Sequence, residues 1–218
     1  MRYSERVTEP STQRSAKSIS GAAGSAGRQA DAAVESKTVF GFWVYLMTDA
    51  VLFASLFATF AVLRNNVYNG PSGQEIFSLP FVLTETPILL TSSFSVGLAW
   101  LAARQGNKRL VLVWLGVTYL LGLAFLILEL REFSHLYQEG NSWRRSAFLS
   151  SFFTLVGTHG THITAGLVWM SVLGLRIYKV GLFKSSLKKI TMLSLFWHFL
   201  DVIWIFIFTI VYLMGVIG

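Results

Sequence analysis

Five long runs of apolar residues, near 39–63, 85–103, 110–130, 148–177 and 190–217, constrain this 218-residue chain more than any other feature. A hydrocarbon core about 30 Å thick is crossed by a helix of roughly 20 mainly apolar residues, and every run reaches about that length. A membrane barrel would instead show segments of roughly ten residues with alternating polarity. Here the apolar character continues around every face, so each segment must satisfy its own backbone groups, as a helix does. The composition agrees: 53% of residues are hydrophobic, 13% are charged and the mean hydropathy is +0.56, too apolar for an ordinary soluble domain. The expected fold is an all-α integral membrane bundle of five helices.

The net charge of +7 would suit a nucleic-acid binder if it lay on one soluble face, but the basic residues sit between the apolar runs. Fourteen of the eighteen Lys and Arg fall in the N-terminal tail and in every second connection after it. By the positive-inside rule the N-terminus is cytoplasmic and the C-terminus periplasmic. Residues 1–38 are rich in Ser, Ala and Gly, with Tyr3 as their one aromatic. Such a stretch buries too little apolar area to offset chain entropy, so it is expected to be a disordered cytoplasmic tail, with residues 39–218 as the membrane domain. No compact apolar stretch before Val39 reads as a cleaved signal, so the first helix is expected to direct its own insertion. The turn-forming NNVYNGPSGQ marks an external loop, and the short RQGNKR makes helices two and three an antiparallel hairpin. Trp43 and Trp143 lie near predicted helix ends, where indole rings favour the interface.

The chain has no cysteine, which removes disulfides and thiolate-ligated metal centres. No nucleophilic triad or phosphate-binding loop is present, and the GxxG within GTHGTH lies mid-helix, where it cannot clamp nucleic acid. A haem–copper reaction centre needs about six or more histidine ligands, and the chain has four histidines in all. The chain is not itself a redox subunit.

Ionisable groups inside a bilayer cost roughly 2.5–3.5 kcal/mol each on insertion scales, so each should face the bundle and find a partner. Asp49 falls near mid-depth of the first helix and is the candidate for a proton- or lipid-related role, because deep carboxylates mark ion or proton pathways. Glu85 opens the second helix, and Glu129 and Glu132 close the third; near helix ends, a water-exposed structural role is expected for them. His159 and His162 share one face of the fourth helix, as His198 and Asp201 do on the fifth. HxxH beside HxxD is compatible with a metal site, but four-helix metal sites pair Glu with ExxH, and ELRE carries no histidine. The expected role for Glu129, Glu132, His159, His162, His198 and Asp201 is a buried polar framework. Gly157, Gly160 and Gly166 would allow helices to approach around it.

Four stretches taken together, FGFWVYLMTDAVLFASLFATF, LELREFSHL, SSFFTLVGTHGTHITAG and LFWHFLDVIWIFIFTIVYLMG, resemble subunit III of the haem–copper terminal oxidases. The resemblance covers roughly residues 36–218 and is nearest to the five-helix version found in bacterial cytochrome bo-type ubiquinol oxidases. It implies a non-catalytic accessory subunit of a proton-pumping quinol oxidase in the bacterial inner membrane, supporting stability, lipid binding and proton uptake. It also implies no cofactor in this chain, with haems, copper and quinol held by partner subunits. Its partners would be subunit I directly, subunits II and IV, and phospholipid, with no nucleic acid. The family's S-E-x-x-x-F carboxylate falls on Asp49, where subunits of cytochrome c oxidases usually carry Glu; those also usually have seven helices. The competing readings are a small proton- or metal-coupled transporter and an accessory subunit of a cytochrome c oxidase. On this reading His198 and Asp201 hold the last helix against the third and fourth.

Overall fold

A computed structural model of the chain describes residues 11–64, 79–141 and 145–217, with the side chains of 11–36, 79–81, 184 and 216–217 left aside. The described residues are helical throughout, apart from short connections. Helix α1 spans Ser11–Leu63, α2 Leu79–Arg104, α3 Lys108–Gln138, α4 Ala147–Val180 and α5 Lys184–Ile207. A π-helical turn, Phe208–Leu213, follows α5 and leads into the short α6, Met214–Ile217. Five segments are long and apolar enough to cross a membrane: Lys37–Leu63, Val82–Arg104, Lys108–Gln138, Ala147–Val180 and Ser185–Leu213.

The chain divides into two compact units, Met1–Tyr45 and Leu46–Gly218. In the first, the backbone from Ser11 onward is helical, where the composition led us to expect no fixed structure; the Ala-rich stretch around residues 30–33 has high intrinsic helix propensity. Trp43 is exposed near the start of the first span, whereas Trp143 and the NNVYNGPSGQ connection lie outside the described residues.

In the second unit, α2, α3, α4 and α5 close into a ring in which each helix packs on the next and α5 returns to α2. The hairpin between α2 and α3 follows from two residues. Gly106 takes the left-handed conformation (φ 74°) that ends α2, and the Asn107 side chain accepts a bond from the Leu110 N–H to cap α3. Ser146 caps α4 in the same way through the Leu149 N–H, and Gly181 (φ 99°) ends it.

Within this unit α1 presents Leu46, Asp49, Phe53 and Phe60 on one buried stripe. Phe60 meets Phe148 of α4 and Phe57 meets Phe206 of α5, with ring centroids 5.9 and 6.3 Å apart.

The helices run further than hydropathy alone predicted. α2 begins six residues before Glu85, and α3 continues past Glu132 to Gln138. The two glutamates of α3 and Glu85 therefore sit inside their helices rather than at the ends. Pro87 lies within α2, where it removes one ladder hydrogen bond; the hydroxyls of Thr86 and Thr91 donate to the carbonyls of Val82 and Pro87 beside it.

Candidate functional site

The polar residues singled out in the sequence divide into three groups. In the first, Asp49 stands at the middle of the Lys37–Leu63 span and is buried, 6% exposed. Its Oδ2 lies 3.7 Å from His162 Nε2, and it has no hydrogen-bond partner among the described residues. The His162 Nδ1–H donates to the Thr158 carbonyl one turn back, at 2.8 Å, which fixes the tautomer. A neutral His162 therefore turns a lone pair toward a carboxylate oxygen. One proton, placed on either group, converts this pair of acceptors into a donor and an acceptor. Phe53 covers the imidazole, with ring centroids 5.3 Å apart.

His159, three residues earlier, points elsewhere. It is fully buried, its Nε2–H donates to the Leu200 carbonyl of α5 at 3.3 Å, and its ring packs against Trp204 at 5.3 Å and Phe125 at 6.0 Å. The HxxH motif thus joins α4 to α5 through one histidine and faces α1 through the other. Among the described residues, no group of three or more His, Asp or Glu side chains is placed to hold one metal ion.

The second group corrects an expectation. Glu85 and Glu129 are not at water-exposed ends: they are 0% and 2% exposed, because α2 and α3 extend beyond them. Together with Glu132 they form a cluster close enough for mutual charge repulsion. The Tyr212 hydroxyl, carried on the π-helical turn, donates to Glu132 Oε2 at 2.9 Å. The four oxygens of Glu85 and Glu129 have no donor among the described residues. Gly160 makes the space for Glu129: a β-carbon there would stand 3.0 Å from both carboxyl oxygens.

The third group corrects another. His198 and Asp201 face α2, not α3 and α4. His198 Nδ1 is 2.6 Å from the Ser93 hydroxyl, and Asp201 lies beside the same serine. Asp201 is buried at 8% exposure, whereas His198 is exposed on the outer face of α5.

The residue that knots the ring together is Trp197, which sequence reasoning passed over. Its ring is 1% exposed and wedged between α3 and α4, where β-carbons on Gly122 and Gly166 would come within 2.8 and 2.9 Å. Its Nε1–H donates to the Ser92 hydroxyl of α2, at 3.1 Å, and Ser92 in turn donates to the Thr118 carbonyl of α3 at 3.2 Å. Gly160 and Gly166 therefore accommodate side chains rather than bringing two backbones together. Trp204, a heptad after Trp197 on the same side of α5, donates to Thr86 Oγ1 at 3.2 Å. That seven-residue repeat of tryptophans was the available signal.

Fold and buried polar groups together define a multi-pass helical membrane protein. The family model for cytochrome c oxidase subunit III matches residues 14–216. The chain is 60% identical over 178 residues to a cytochrome bo(3) ubiquinol oxidase subunit 3 of Pseudomonas aeruginosa, covering 82% of this chain and 85% of that one. It is 45% identical over 187 residues to the protein of that name in Buchnera aphidicola, covering 86% and 96%. A cytochrome c oxidase subunit 3 of Bacillus sp. PS3 is 46% identical over 189 residues, covering 86% and 91%. The chain belongs to the cytochrome c oxidase subunit III family.

Proposed function

We propose that the chain is the accessory subunit III of a haem–copper quinol oxidase in a bacterial cytoplasmic membrane, docked to larger subunits that carry the haems, copper and quinol site. The observation that carries this reading is the 60% identity, over most of both chains, to a subunit named for a ubiquinol oxidase, against 46% for one named for a cytochrome c oxidase. The absence of cysteine and the dispersal of the four histidines support a supporting rather than an electron-carrying role. Partner subunits I, II and IV and bound phospholipid belong to this reading, as does an orientation with the basic α2–α3 and α4–α5 connections in the cytoplasm.

Within it, the Asp49–His162 pair serves sustained proton uptake, as a mid-depth place where one proton is shared between two acceptors. The remaining polar groups hold the bundle in shape.

The test is purification through a tag on this chain after gentle detergent extraction. A larger haem-bearing chain should copurify, with an optical spectrum of two haems and quinol-dependent oxygen uptake. A haem-free monomer would overturn the reading, and a complex that oxidises cytochrome c but not quinol would move it to the other branch of the family.

A further inference from the structure

The outer face of α5 carries Thr191, Leu195, His198, Val202 and Ile205 at helical spacing, and His198 is the titratable group in its centre. Val202 and Ile205 are 50% and 42% exposed. Alongside runs the α2 stripe of Leu90, Phe94 and Leu101, 43%, 67% and 47% exposed, with Gly97 among them. The face is therefore an apolar strip broken at mid-membrane by an exposed imidazole.

Exposed hydroxyls elsewhere on the bundle need no outside partner. Those of Ser55, Thr59, Thr154 and Thr161 donate to carbonyls of their own helices three or four residues back. His198 differs. Its Nδ1 is engaged with Ser93, and its Nε2 has no hydrogen-bond partner among the described residues. That Nε2 lies 4.0 Å from where a Gly97 β-carbon would sit, so the missing side chain leaves an approach to it. Behind it, Asp201 Oδ1 is buried and unpartnered.

Depth excludes lipid headgroups as the partner. His198 lies at the middle of the Ser185–Leu213 span and Ser93 at the middle of Val82–Arg104. About 20 Å of helix separates His198 from either end of its span, more than the half-thickness of about 15 Å of the hydrocarbon core. At that level the acyl chains supply no hydrogen-bonding group, and another transmembrane segment can.

We propose that the α2–α5 face around His198 is the surface on which a transmembrane helix of a larger oxidase subunit docks, with a polar side chain on that helix bonding His198 Nε2 beside Gly97. His198 Nδ1 and the Ser93 hydroxyl are engaged with each other, so Nε2 is the imidazole nitrogen left to bond outward. The proposal rests on the oxidase reading above, and its test separates the two.

Photocrosslinking from p-benzoylphenylalanine in place of Val202, in native membranes, should join this chain to a larger membrane chain. Adducts with lipid alone, or with a second copy of this chain, overturn the proposal even when a haem-bearing chain copurifies. If no such chain copurifies, the oxidase reading fails and takes this proposal with it. His198→Asn keeps a polar group at the Nδ1 position but removes Nε2, and should release the subunit from the complex in detergent at least tenfold faster. His198→Gln, which restores a polar atom at Nε2, should recover most of that retention. An Asn variant that stays bound as long as the natural chain, or a Gln variant released as fast as Asn, overturns the bond.

Discussion

The indole of Trp197 occupies the space that a side chain on Gly122 would need: a β-carbon there would fall 2.8 Å from Trp197 Cζ2. Contacts that close do not occur between real β-carbons and ring atoms, so the two positions are chosen together. Because Trp197 also bonds Ser92, one ring fixes the spacing of α2, α3, α4 and α5 at a single level.

Gly122→Ala and Gly166→Ala should each destabilise the subunit by about 1–3 kcal/mol, the usual cost of overpacking. Gly116→Ala and Gly174→Ala should be neutral or slightly stabilising, since nothing lies within 4 Å of either added β-carbon and Ala is the better helix former. Thermal release of this subunit from the purified complex measures all four, and equal losses across them would defeat the packing argument.

Trp197→Phe retains most of the buried ring but leaves the Ser92 hydroxyl without its indole donor. Its cost should be about 1 kcal/mol for the lost bond plus a smaller packing loss. Trp197→Ala should cost about 3–5 kcal/mol. The gap between the two variants in the same melting assay separates hydrogen bonding from volume.

The buried carboxylates respond in opposite directions. Tyr212→Phe removes the donor to Glu132 and should destabilise by about 1–3 kcal/mol. Glu85→Gln replaces one acid in a cluster that offers its oxygens no donor, and should be neutral or stabilising. A stability loss for Glu85→Gln as large as that for Tyr212→Phe would show that Glu85 has an anchoring partner after all.

Asp49→Asn should leave assembly and the initial rate of oxygen consumption intact while shortening the time over which turnover is sustained. The amide can donate to His162 Nε2 but cannot pass on a proton, so geometry is kept and exchange is lost. Oxygen uptake followed through many turnovers, with the natural chain in parallel, reads this directly; identical decay curves would count against the role proposed for Asp49.

Much of this arrangement was legible in the chain itself. Hydropathy located all five spans, and the mid-depth placing of Asp49 follows from counting along the first of them. The partners of the polar residues were not legible, because a period of 3.6 gives a face without saying which helix it meets. His198 turns to Ser93 on α2, a serine with nothing in its surroundings to single it out. Glu85 and Glu129 were misplaced for a different reason: polar residues shorten an apolar window even where the helix continues through them. The π-helical turn leaves no trace in hydropathy, since Phe208–Leu213 is as apolar as an α-helical stretch would be.

That turn has a consequence for how the chain can vary. Within it the Met214 N–H bonds the Thr209 carbonyl five residues back instead of four, so the segment holds one residue more than an α-helix of equal rise. Deleting a single residue there would restore ordinary winding with the residues on either side keeping their faces, because the wide turn is what absorbs the extra residue; only residues inside it, Tyr212 among them, would be re-aimed and could leave Glu132. Insertions and losses of one amino acid, normally ruinous inside a membrane-spanning helix, thus become the natural means by which descendants of this gene could tune or abandon the tyrosine–glutamate link while keeping the rest of the bundle in register.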